Sequence, residues 1–228
     1  MTDVLPTRVL RTPRSAGIAG VLFALSFAII VFLIHKVVPV NPHEAGSWVA
    51  NAPDRRKVSF ALTLVPFSGI FFLWFIGAVR SRIGTAEDRF FATVFLGSGL
   101  LFVAMMFTAT AVMGALISLA SSDHGAPPLN VWHLGRATTF QLATTFALRM
   151  AAVFTIATST IALRLRLHHP VVITIGFASG LLLMFVESTI PWIELVFPFW
   201  VFVVSVNLLV DSYRERAAGQ DAAGVARP

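Results

Sequence analysis

The sequence predicts an all-α, polytopic transmembrane helical bundle of about six spans, and three observations carry that prediction. Of 228 residues, 57% are hydrophobic and 12% are charged. The mean hydropathy is +0.82, far above what a water-facing surface allows. Six apolar runs, at 16–36, 58–79, 90–120, 138–163, 170–187 and 190–210, mostly approach the roughly 20 residues that cross a bilayer as helix. Outside them only short loops and tails remain, so no soluble catalytic domain is expected. Residues 1–15 read as an N-terminal tail, 16–210 as the transmembrane domain and 211–228 as a disordered C-terminal tail of small and polar residues.

The first run, "GIAGVLFAL" onward, has a basic flank like a signal peptide. Its apolar core is too long, however, and the cleavage-like "ANA" at 50–52 lies well past its end, so it reads as an uncleaved span. The second run contains Pro66 and the sixth Pro198, each of which removes a backbone donor and should kink its helix. The third run is longer than a crossing requires and should tilt. Gly97, Gly99 and Gly114, with Ala111 and Ala115, give it faces on which neighbouring helices can approach closely. The fifth and sixth runs nearly abut at "ESTIPW", so they are either two spans or one re-entrant hairpin.

Basic residues set the orientation. With a cytoplasmic N-terminus, eleven fall on the inner side and five, including Arg136 and the "RRK" of 55–57, on the outer, so both termini are expected in the cytoplasm and the protein in the cell membrane. The net charge of +6 would suggest nucleic acid in a soluble protein; here the basic residues cluster beside the spans, so no nucleic-acid partner is expected. Trp48, Trp132 and Trp192 fall near the outer boundary, and Trp74 and Tyr213 near the inner one, as an aromatic belt would.

The fourth run raises the main functional question. Within "TTFQLATTFALRMAAVF", α-helical spacing places Gln141, Thr145 and Arg149 on one face, with Thr138 continuing toward the outer end. Arg149 would lie about 16 Å below that end, near the bilayer centre. A charge there costs roughly 3 to 10 kcal/mol unless it is paired or wet. The acidic residues placed to meet it are Glu194, about 6 Å into the last run, and Glu187, at the outer end of the fifth. Three readings stand: an Arg149–Glu194 pair that fixes helix register, an anion or lipid site centred on Arg149, or a buried contact to another subunit.

Other chemistry is thinly represented. With no cysteine in the chain, thiolate metal sites and disulfides are excluded. His35, His43, His124 and His133, with Glu44 and Asp123, have metal-ligand side chains but no tight spacing, and no facing histidine pair sits within the spans. No cofactor is expected. His168 and His169, beside Arg164 and Arg166 in "LRLRLHHP", suit anionic lipid headgroups. Hydrolase, metalloprotease and nucleotide-binding motifs are absent, so an enzyme is not expected.

With "PRSAGIAGVLFALSFAII" at 13–30 and "AEDRFFATVFLGSGLLFVAMMF" at 86–107, the chain resembles small polytopic membrane proteins of actinobacteria. In length and layout it is most similar to the accessory membrane subunits of the lipid uptake coordinator B type, which are associated with Mce lipid importers. That resemblance rests on general character and transfers no site residue. It implies a non-catalytic subunit beside permease helices, aiding assembly or stability of a complex that transports fatty acids or related lipids. The alternative is an autonomous small transporter or lipid-binding protein with its anion site at Arg149.

Overall fold

The computed structural model describes residues 13–39, 47–83, 89–121, 128–165, 170–185, 190 and 192–225, all helices and their short flanks. In chain order the helices are α1 (Pro13–Val37), the single turn α2 (Ser47–Ala50), α3 (Ala52–Ile83), α4 (Arg89–Ala120), α5 (Leu129–Phe140), α6 (Leu148–Leu165), α7 (Pro170–Phe185) and α8 (Val196–Val225). A π-helical stretch, Gln141–Ala147, joins α5 to α6 without a break, and a 3-10 turn, Ile193–Leu195, leads into α8.

Five helical segments are long and apolar enough to cross a membrane: Ser15–Val37, Ala52–Ser81, Phe90–Ala120, Leu129–Leu165 and Ile193–Tyr213. The fourth run is therefore the middle of a longer helix that begins at Leu129, so Arg136 belongs to the helix and not to an outer loop. The fifth run forms α7, whose 16 residues reach only about 24 Å and fall short of a perpendicular crossing. At the C-terminus, helix α8 continues to Val225, where the sequence suggested a disordered tail from residue 211.

Pairings along the chain fix the helix directions. Phe23 meets Phe72 while Gly20 lies against Phe75, Phe72 meets Phe102 while Gly69 lies against Phe107, and Phe95 stacks on Phe154 while Gly135 lies against Leu116, so α1, α3, α4 and the long helix Leu129–Leu165 alternate in direction. A Cβ added at Gly180 would meet Ile156, and one at Gly176 would meet Ser159, which sets α7 antiparallel to α6. Gly17 lies against Leu209 while Phe23 lies against Phe197, so α8 runs antiparallel to α1. The start of α1 and the C-terminal half of α8 thus share one end of the bundle.

Phenylalanine supplies the centre, with 21 in the chain. Phe72 is fully buried, and its ring lies 4.7 to 6.2 Å from those of Phe23, Phe75, Phe102, Phe154 and Phe197, joining α1, α3, α4, α6 and α8. A lipid environment solvates apolar side chains about as well as a protein does, so what holds these helices is close packing and not exclusion from water. Small residues permit it. At Gly176 a Cβ would strike Ser159 Oγ and approach Trp200 Nε1 to 2.8 Å. Gly176→Ala is therefore expected to cost about 1–3 kcal/mol, read as a lower thermal midpoint of the purified protein. An unchanged midpoint would mean that α6, α7 and α8 do not meet at this point.

The prolines act unequally. Helix α3 runs through Pro66 without interruption, whereas Pro198 sits in the first turn of α8, a position where a helix tolerates proline. No interior kink is needed there. Two of the expected belt tryptophans are also elsewhere: Trp48 and Trp132 are both buried, 6.1 Å apart, in a second core with Val58, Met113, Leu116 and Ile117. Trp74 and Tyr213 are exposed, as belt residues should be.

Candidate functional site

The site is built around the buried face of the long helix Leu129–Leu165. Pro128 precedes α5, and its carbonyl accepts the Trp132 N–H at 3.0 Å, so the helix starts directly after the proline pair at 127 and 128. From there Trp132, Arg136, Thr144 and Leu148 turn inward, each four residues from the last except for half-buried Phe140 between Arg136 and Thr144. In a regular α-helix a four-residue step drifts by about 40°, so such a series soon leaves the face on which it began. The wider turns of the π stretch, Gln141–Ala147, offset that drift and keep the series directed inward. The Thr144 hydroxyl donates to the Phe140 carbonyl at 2.8 Å and so carries its own hydrogen-bonding partner on this face.

This face, together with α1, α3 and α4, lines a partly open cavity of ≈ 160 Å³. Along α1 and the residue after it, the lining runs from Phe27 to Val38, a rise of about 16 Å. Val58, Leu62 and Val65 of α3 and Met106, Ala109 and Met113 of α4 form apolar walls. Phe140, Ala143, Thr144 and Leu148 complete it from the long helix.

Charged and polar groups gather at one end. Arg136 is 4% exposed, and its Nη2 donates to the Pro39 carbonyl at 2.9 Å, just beyond the end of α1. His35, one turn earlier, places Nε2 3.4 Å from Glu194 Oε2. That contact lacks hydrogen-bond geometry, and Glu194 Oε2 is buried without a hydrogen-bonding donor. The His35 ring stacks on Trp192 at 4.7 Å and 23°. Trp192 has φ 68, the one non-glycine residue with positive φ among those described, and its carbonyl accepts the Leu195 N–H at 3.0 Å. A bulky residue held in that conformation stores strain and fixes how the chain enters the 3-10 turn carrying Glu194. His35, Arg136 and Glu194 all line the cavity.

The expected Arg149 stripe occupies a neighbouring face. Thr138 and Gln141 are exposed, and Thr145 and Arg149 are half-buried. Arg149 Nη1 donates to the Thr145 carbonyl at 3.0 Å, an acceptor that also takes the Leu148 N–H at the end of the π stretch. Among the described residues no ion pair joins Arg149 to Glu194. The arginine is met by its own helix backbone, whose hydrogen bonding is irregular just there. Glu187, His43, Glu44, Asp123, His124, His168 and His169 lie outside the described residues. Arg149→Leu is expected to leave the protein folded, with a stability change of about 1 kcal/mol or less, because one hydrogen bond and one desolvated charge are removed together. Loss of folding in that variant would mean Arg149 holds more than the Thr145 carbonyl.

Compared with protein-family models, curated proteins and solved structures, the chain matches none of them. Its function is therefore argued from the cavity itself.

Arg136 is the residue that the sequence reasoning misplaced. Its signal was present as the series Trp132, Arg136, Phe140, Thr144 and Leu148, which α-helical periodicity disperses over several faces and a π stretch restores to one.

Proposed function

We propose that this protein is a non-enzymatic, multi-pass protein of the cell membrane that holds a lipid in the cavity between α1, α3, α4 and α5. One observation carries the reading: a long apolar cavity within a membrane-type bundle ends at an arginine that is 4% exposed. Arg136, which bonds to the Pro39 carbonyl, lines that end, and guanidinium groups suit carboxylate and phosphate. An apolar pocket suits a hydrocarbon chain. The two together describe an amphiphile with its head at Arg136 and its chain toward Leu148.

The proposed topology adds α7, as a short sixth passage, to the five membrane-length helices and puts both termini in the cytoplasm. Support comes from the antiparallel arrangement of α1 and α8 and from the return path between Leu165 and Glu194, which α7 makes alongside α6. On this reading the Arg136 end faces outward.

The test is lipid analysis of the purified protein. Mass spectrometry of an organic extract is expected to find a single-chain amphiphile at near-stoichiometric amount with the wild type. Ala143→Trp, which fills the middle of the cavity, should remove it. Identical extracts from the two proteins would overturn the reading.

A second reading, a subunit beside the permease of a lipid-importing complex, is favoured by the outer face of α4. A Cβ at Gly97 or Gly114 would meet nothing within 4 Å, and Ala104, Ala111 and Ala115 are exposed on that helix. Only 33% of the most apolar part of this span is buried, against 61% for Leu129–Leu165, so α4 has the more room for a foreign helix. Such docking would aid assembly or stability, as the resemblance to Mce-associated accessory subunits implies. Stoichiometric permease co-purifying from mild detergent, and lost with Ala111→Trp, is the expected result; a lone protein would count against this reading.

A further inference from the structure

Among the described residues, packed side chains close the cavity at both ends and along the walls that α1 shares with α3, α3 with α4, and α4 with the long helix. We infer that the cavity opens sideways, between α1 and the long helix Leu129–Leu165, and takes its ligand directly from the membrane leaflet at the Arg136 end of the bundle. The inference rests on the lipid-binding reading above and adds the source of the ligand and its route.

At the Arg136 end, Val38, Val58, Leu62 and Met113 line the cavity and also pack with Trp48 and Trp132 in the second core. At the opposite end, Phe27, Val31 and Leu148 line it and belong to the core around Phe72. Protein cores are packed about as densely as organic crystals, so neither end admits a hydrocarbon chain without repacking. The walls are sealed likewise. Ile30 and Val65 join α1 to α3, Phe107 lies against Gly69 between α3 and α4, and Leu116 lies against Gly135 between α4 and the long helix.

Between α1 and the long helix the filling is uneven. Phe197 of α8 meets Phe23 on α1 and Phe154 on α6, so α8 separates the two helices deep in the bundle. Helix α8 begins only at Val196, and beyond it, among the described residues, the cavity is lined on this side by Glu194 and Ile190. Ile190 is both part of the lining and 50% exposed, so it stands at the mouth. The bond from Arg136 to the Pro39 carbonyl crosses between the same two helices and bounds the opening at its far end. Both helices are of membrane length, so the neighbours of such a mouth are acyl chains. A chain that slides in from there never crosses water, and it keeps the free energy that holds hydrocarbon in a bilayer.

The chain has no cysteine, so a single introduced thiol can be modified alone. In Ile190→Cys a bulky methanethiosulfonate reagent, attached before the probe is added, obstructs the mouth, and a reductant clears it. The probe is a dodecyl phosphate amphiphile with a terminal diazirine, mixed into phosphatidylcholine nanodiscs that hold the full-length protein. Label on Phe27, Met106 and Leu148 is expected at the wild-type level in unmodified Ile190→Cys, to fall to the level of Ala143→Trp on modification, and to return on reduction. Ile190→Trp, which needs no reagent, should lower it in the same way. Modification of Asn130→Cys, exposed near the start of the long helix, should change nothing. Label that persists when Ile190→Cys is modified, or that is lost instead when Asn130→Cys is modified, would overturn the lateral route. Label in the wild type no higher than in Ala143→Trp would overturn the lipid-binding reading itself.

Discussion

Phe72→Ala is expected to be among the most destabilising single substitutions in this protein, lowering its stability by about 3 kcal/mol. The ring is fully buried and touches five others, on its own helix and on α1, α4, α6 and α8. Truncating a buried phenylalanine costs roughly 3–5 kcal/mol in water-soluble proteins, partly through transfer of the side chain from water. The lower end applies here because the unfolded chain remains among lipid tails, leaving the cavity and lost ring contacts as the main terms. Phe60, 58% exposed on the same helix, is the control, and Phe60→Ala should change little. Similar thermal midpoints for the two variants would show that the bundle is not centred on Phe72.

The second large effect is expected for Arg136→Leu in ligand binding. A charge-assisted hydrogen bond contributes about 1.5–3 kcal/mol, so removing the guanidinium should weaken an anionic head by roughly 10- to 100-fold. Folding should survive better than binding. Leucine removes the bond to the Pro39 carbonyl and the guanidinium's other interaction, and removal of a desolvated charge offsets part of that loss. Titration of the variant and the wild type with the same single-chain phosphate amphiphile checks this. Unchanged affinity with an intact fold would place the head elsewhere.

Much of this architecture was legible in the sequence. The apolar runs reveal an all-helical, membrane-type chain, and the first three mark α1, α3 and α4 closely, because a long uninterrupted apolar stretch depends little on tertiary context. The later runs were harder to read. Residues 128–137 carry Trp132, His133 and Arg136 among apolar neighbours, so hydropathy starts the fourth helix at 138, whereas its backbone begins at Leu129 and buries the arginine. Length identified six runs, yet among the described residues the fifth forms the 16 residues of α7.

The site was less legible for a definite physical reason. Placing Gln141, Thr145 and Arg149 on one inward face assumes 3.6 residues per turn throughout, and the Gln141–Ala147 stretch departs from that value. Neighbouring Thr144 and Leu148 take the inward positions instead, and Arg149 bonds to the Thr145 carbonyl. Glu194 was singled out as a partner for Arg149, but the residue beside it is His35 from α1. No local pattern announces that pairing, because it depends on α1 and α8 lying side by side. Within the cavity, by contrast, Phe27, Met106 and Leu148 are ordinary apolar residues whose shared role emerges only when three helices converge.

The measurement that tests the central claim most directly is photolabelling with a dodecyl phosphate amphiphile carrying a diazirine at the chain terminus, followed by peptide mapping of the labelled protein. A head at Arg136 places the chain end near Phe27, Met106 and Leu148, so label is expected on those residues and should fall sharply in Ala143→Trp. Label confined to the exposed outer residues Leu100, Leu101 and Phe107 of α4, and unchanged in Ala143→Trp, would mean that the probe samples only the surrounding lipid and that the cavity holds no ligand.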